Sequence, residues 1–179
     1  MGSGNNQDNL TAAYIGRTAV VRVNGRGSFK ISPPMKQFIQ RVIATNSANR
    51  ILLDMSECCG MDSTFMGVLA GLSYHVKDKP GFTLKLINLS EKNQKLLTTL
   101  GVDQVVDFSL STTGEEKELM AGQSDGAQAL EPDFANTLEA AKTTLEAHEA
   151  LVEINPENLA KFKSVLELLQ EDIRTLDHQ

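Results

Sequence analysis

Residues 61–67 read Met-Asp-Ser-Thr-Phe-Met-Gly, so three oxygen-bearing side chains, Asp62, Ser63 and Thr64, stand in a row directly after the mainly apolar stretch 50–59. Asp, Ser and Thr all cap helices, because a side-chain oxygen accepts a hydrogen bond from a first-turn N–H that has no partner within the helix. A functional hydroxyl placed at a helix N-terminus is the other reading of the same residues. The two readings, a structural cap and a functional hydroxyl, are compatible.

Three other groupings carry residue types capable of chemistry. Gly25-Arg26-Gly27-Ser28 has the glycines of an anion-cradling loop. It lacks the Lys-Ser/Thr ending of a phosphate-binding P-loop and reads as a turn. Cys58 and Cys59 are adjacent, and with His75 they match no metal-ligand spacing, so they read as small buried or half-buried thiols with no metal assigned. His148-Glu149 resembles the phosphoryl-accepting histidines of helical hairpins in two-component signalling. His148 falls on an apolar seam, however, and reads as a packed core histidine, with a phosphorelay role as the alternative. No Ser/His/Asp or paired-carboxylate arrangement emerges. The chain is therefore read as a non-enzyme, with no catalytic residue and no cofactor.

The elements that position these residues follow from hydrophobic periodicity. Residues 13–24 alternate as strands around Gly16-Arg17, and residues 25–29 form a loop. Ser32 then caps a helix with Pro33-Pro34 in its first turn and Met35, Phe38, Ile39, Val42 and Ile43 on one face. Residues 50–55 (RILLDM) read as a strand buried on both faces between parallel neighbours. A helix follows over residues 63–76, its small residues Gly67, Ala70 and Gly71 expected to let it lie close to the sheet. Residues 82–88 read as a strand, Ser90 caps a helix that stops at Gly101, and residues 105–108 form a last strand.

Residues 110–131 turn abruptly to Ser, Thr, Gly, Gln and Glu, and read as a linker with one weak helical turn at 116–120. Beyond it, apolar residues recur at three-four spacing on both sides of Asn155-Pro156, which marks an antiparallel αα-hairpin over 132–179. A lone hairpin cannot bury both sides of its seam, so it should pack on the sheet domain, on its own copy or on a partner. The expected organisation is a leader over 1–10, either disordered or tag-derived, a sheet domain over 11–109, the linker, and the hairpin.

The strand ending Asp54-Met55-Ser56, followed by Asp62-Ser63-Thr64 and Gly67 at the helix opening, resembles the STAS domain family of bacterial anti-sigma factor antagonists and related signalling modules. The resemblance extends over residues 13–108. It implies a mixed α/β sheet covered by helices, and a regulator switched by phosphorylation. Ser63 takes the place of the phosphorylated serine, with Thr64 as the alternative. Asp62, Ser63, Thr64, Phe65 and Met66, with Arg26 and Ser28, form the expected partner-binding set. The implied partners are an anti-sigma factor of serine-protein-kinase type, bound in the dephosphorylated state, and a phosphatase. The rival expectation is a scaffold or sensor module in which the hairpin drives homo-oligomerisation or docking. Phe65 and Met66 replace the Gly and Leu usual at these positions.

Composition bounds the rest. With 41% hydrophobic residues the chain can bury a core, and a net charge of −6 argues against a nucleic-acid partner. No apolar run approaches the ~20 residues of a membrane helix. The first ten residues lack the basic and apolar regions of a secretory signal, which together with two thiols points to a reducing cytoplasm.

Overall fold

The computed structural model describes residues 7–122 and 126–178. The first two strands, β1 (Asn9–Ile15) and β2 (Thr18–Gly27), form an antiparallel hairpin closed by Gly16 and Arg17. Gly16 has φ +57°, a value that side chains with a Cβ rarely adopt. The expected leader is corrected here. Residues 1–6 lie outside the described residues, but Asn9 and Leu10 belong to β1, and Leu10 is fully buried.

The remaining elements are α1 (Ser32–Thr45), β3 (Arg50–Asp54), β4 (Cys58–Met61), α2 (Ser63–Lys77), β5 (Thr83–Ile87), α3 (Glu91–Thr99), β6 (Asp107–Phe108), α4 (Gly114–Ala121), β7 (Gln128–Ala129), α5 (Thr137–Ile154) and α6 (Asn158–Asp177). The strands lie in the order β6-β5-β3-β2-β1-β7, and β4 pairs separately with the end of β2. β3 runs parallel to both β2 and β5, as its continuous apolar sequence predicts.

Side-chain alternation divides the sheet's two faces. Val21, Ile51, Leu53, Leu84 and Leu86 join the main core with α1 and α2, while Val20, Leu52 and Ile87 form a smaller cluster that Leu119 and Met120 of α4 pack against. The segment expected to be a linker thus carries a helix that covers the far face of the sheet. α4 is started by a capping box: Thr113 Oγ1 accepts from Glu116 N, and the Glu116 carboxylate accepts from Thr113 N. Glu116 is itself buried and accepts from Lys85 Nζ at 2.8 Å, with Arg50 at 3.5 Å. Burial alone would raise its carboxyl. The Lys85 and Thr113 hydrogen bonds and the charges of Lys85 and Arg50 outweigh that and hold it below its ordinary value.

Two local expectations change. Residues 25–27 are not a loop but the end of β2, which pairs in parallel with Cys58–Met61, so the segment CCGM is a strand. Ser32 does not cap α1; the cap position is Ile31, and Ser32 Oγ donates to Ser28 O one turn back. Gly25, Gly27, Met61 and Ser32 are buried, and these segments find backbone partners that local propensity does not reveal.

Candidate functional site

The junction between β4 and α2 is built around Asp62. Its backbone is extended (φ −95°, ψ 173°), as a helix N-cap requires, and its Oδ1 accepts from Phe65 N at 2.9 Å. Its other oxygen, Oδ2, accepts from Phe29 N at 2.7 Å, and its own N–H donates to Gly27 O at 2.9 Å. Asp62 therefore starts α2 and also fastens it to the segment that follows β2. Ser63 is the first residue of the helix and half-buried; Thr64 is buried.

The side chain of Ser63 is already engaged. Its Oγ lies 3.0 Å from Nε2 of His148 on α5, a residue 85 positions away in sequence. His148 Nδ1 lies 2.7 Å from Thr144 O. A carbonyl only accepts, so Nδ1 carries the proton. In the neutral ring Nε2 is then the acceptor, and the Ser63 hydroxyl donates to it. The ring is 3% exposed and meets Phe162 of α6 edge-on, with centroids 4.8 Å apart. His148 is thus a packed core histidine with both nitrogens occupied. Its bond to Ser63 has no trace in local sequence.

Helix α5 lies across α2 at Gly67. A Cβ added there would stand 2.2 Å from Ala147 O, so the two backbones meet with no room for a side chain. The expectation that Gly67 lets α2 approach the sheet is corrected: it lets α5 approach α2. Thr143, Ala147, His148 and Leu151 form the buried stripe of α5. Lys36 Nζ of α1 donates to Glu146 Oε2, and Asn158, at the start of α6, donates from Nδ2 to Leu100 O at 3.0 Å and to Leu151 O at 2.8 Å.

The other expected contact residues are dispersed. Phe65 is fully buried, its ring packed where a Cβ on Gly27 would come within 2.7 Å. The larger ring fills the space above a glycine of β2. Met66 and Ser28 are buried as well, so Phe65, Met66, Thr64 and Ser28 are corrected from surface contacts to interior positions. Arg26 is exposed, and its N–H donates to Asp8 Oδ1. The anion-cradle reading of residues 25–28 loses its basis, because residues 25–27 are sheet-paired.

Asp54, from the other half of the motif, is buried at the end of β3. It accepts from Arg22 Nε at 3.0 Å and from Ser56 N and Asn88 Nδ2 at 3.1 Å each, joining β2, β3 and the segment after β5. Cys58 is buried and Cys59 exposed, both unbridged; burial pushes the Cys58 thiol above its ordinary value. Among the described residues no cluster of three His, Cys, Asp or Glu is placed to hold a metal, and no helix is long and apolar enough to cross a membrane.

The model of the STAS domain matches residues 9–116. The chain belongs to the STAS domain family. The match ends inside α4, and the hairpin lies beyond it. Among solved structures, the chain is similar in fold to a putative anti-sigma factor antagonist from Thermotoga maritima, with 17% identity, 61% of this chain and 91% of that one covered, and a TM-score of 0.51. It is similar also to the anti-sigma factor antagonist SpoIIAA in its unphosphorylated form, with 19% identity, coverage of 63% and 96%, and a TM-score of 0.51. An anti-sigma factor antagonist from Mycobacterium paratuberculosis matches at 17% identity, with coverage of 66% and 97% and a TM-score of 0.50. At these identities the likeness is one of fold. No curated protein matches the sequence.

Proposed function

We propose that this STAS protein is a regulator that works by binding an anti-sigma factor of serine-kinase type, and that phosphorylation of Ser63 ends the interaction. The observation that carries the reading is the position of Ser63 at the first turn of α2, directly after its Asp62 cap. A phosphate there adds about −1.5 to −2 charges beside the helix N-terminus without requiring the domain to refold. The backbone favours the anion, while an interface formed on the same surface loses it to repulsion and desolvation. Thr64 is buried and is the poorer acceptor. The interior placement of Phe65 and Met66 leaves Asp62, Ser63 and the exposed Arg26 as the members of the expected set nearest to solvent. A phosphatase would restore the binding state.

The test is incubation of the full chain with ATP and the serine-kinase-type anti-sigma factors of its own genome, followed by mass-spectrometric mapping of phosphate. Acid-stable phosphate on Ser63, lost in Ser63→Ala, supports the reading. Acid-labile phosphate on His148 would replace it with a phosphorelay. Absence of any phosphorylation favours a scaffold, a second reading supported by Leu159, Val165 and Leu168 of α6, whose exposed side chains suit association of hairpins between copies.

A further inference from the structure

We infer that the face of α2 beginning at Ser63 is a docking groove for an amphipathic helix, and that α5 of the same chain fills it as an intramolecular occupant that a partner must displace. The inference deepens the proposed function and rests on it for the identity of the competing partner. It does not rest on it for the groove.

Three observations define what the groove accepts. At Gly67 the occupying helix must present a small residue, because its backbone runs against that of α2; α5 presents Ala147. At the helix opening it must present an acceptor for the Ser63 hydroxyl, which His148 Nε2 supplies. One turn to either side of the crossing it must continue a buried stripe, which Leu151 and Thr143 supply. At the rim an acidic residue meets Lys36, as Glu146 does. A competing partner would therefore bring a helix with a small residue at the crossing, aliphatic residues one turn away and an acidic flank.

The arrangement has a direct consequence for Ser63. Its hydroxyl hydrogen is donated to a buried imidazole, and a helix lies over the surface that a kinase would have to grip. Any event that modifies Ser63 therefore requires α5 to lift first, or captures the molecules in which it has lifted. By linkage, whatever holds α5 down lowers the reactivity of Ser63 by the same factor as the docked state dominates.

Thiol labelling tests this without any kinase. The exposed Cys59 is replaced by Ser, Ser63→Cys is introduced in the full chain, and alkylation by N-ethylmaleimide is followed by mass spectrometry, with Cys59→Ser alone as the background. Two further variants unseat α5 from opposite sides: Gly67→Ala, whose Cβ strikes Ala147 O, and Ala147→Glu, which changes α5 and leaves the sequence of the sheet domain as it is. Labelling at position 63 should be slow in the parent and rise about tenfold or more in either variant, while far-UV circular dichroism shows the sheet retained. Equal rates in the parent and in both variants would overturn the inference. If labelling rises as expected but no serine kinase phosphorylates even Gly67→Ala, the groove stands and the proposed function fails. If a kinase phosphorylates parent and Gly67→Ala equally fast, the proposed function stands and the masking role of α5 fails.

Discussion

Asp62→Ala separates the structural work of the β4–α2 junction from its signalling work. The substitution removes two hydrogen bonds, Oδ1 from Phe65 N at 2.9 Å and Oδ2 from Phe29 N at 2.7 Å, and leaves the backbone bond Asp62 N to Gly27 O intact. Loss of an N-cap costs about 1 kcal/mol. The second bond is charge-assisted and worth about 1.5–3 kcal/mol. Phe29 is exposed, so water can reach its freed N–H, and the lower end of that range applies. The sum is about 2.5 kcal/mol. For a chain of this size that lowers Tm by about 5–10 °C. Asp62→Asn keeps the cap oxygen but turns its NH2 donor toward the Phe29 N–H, so it loses the second bond alone, about 1.5 kcal/mol. Thermal and urea unfolding of the three proteins, followed by circular dichroism, measure both steps. A Tm for Asp62→Ala within about 1 °C of the parent would refute the two-bond clamp. So would an Asn variant as damaged as the Ala variant, because the shared cap oxygen would then contribute nothing.

Gly27→Ala places a Cβ 2.7 Å from the Phe65 ring and should cost about 1–3 kcal/mol in urea unfolding; Phe65→Leu in the same chain should recover part of that, and strictly additive losses would show that the two do not meet. Asn158→Ala leaves the buried carbonyls of Leu100 and Leu151 without their side-chain donor, at a cost of about 1–3 kcal/mol. Hydrogen exchange should quicken in α5 and α6 and stay unchanged in the sheet. Glu116 is held below its ordinary carboxyl value, so the stability it contributes is fully present above the unfolded value of 4.5 and is lost as pH falls through the depressed folded value. Glu116→Gln should accordingly flatten the acid limb of a stability–pH profile below about pH 4.5, the ordinary value, and an unchanged limb would sink the assignment.

Much of the sheet domain was legible because its signals are local. The continuous apolar run at residues 50–55 marked a strand with parallel neighbours, and β3 has them on both sides. Ser90 and the Asp-Ser-Thr run at 62–64 were readable as caps because a cap uses only the next three residues, and the structure gives the second role to Asp62. The capping box at Thr113 and Glu116 was readable by the same rule, yet the polar composition around it suggested a linker. The partner of α4 is a set of alternate strand residues, Val20, Leu52 and Ile87, scattered over three strands. Composition carries no trace of such a surface.

By itself, the sequence determined where α2 starts, that capping side chains stand there, and that Ser63 lies at its opening. It also determined that the last helices form a hairpin with a seam needing cover. What covers that seam was decided by tertiary structure alone. Gly67 has the same local meaning whether it faces a sheet or a helix, and an aromatic ring at position 65 has the same propensity inside or out. Only when distant segments meet does Gly67 become the crossing point with Ala147, Phe65 the lid on Gly27, and His148 the acceptor for Ser63. Caps and periodicity depend on neighbours a few residues away, whereas a hydrogen bond across 85 positions depends on how the whole chain closes.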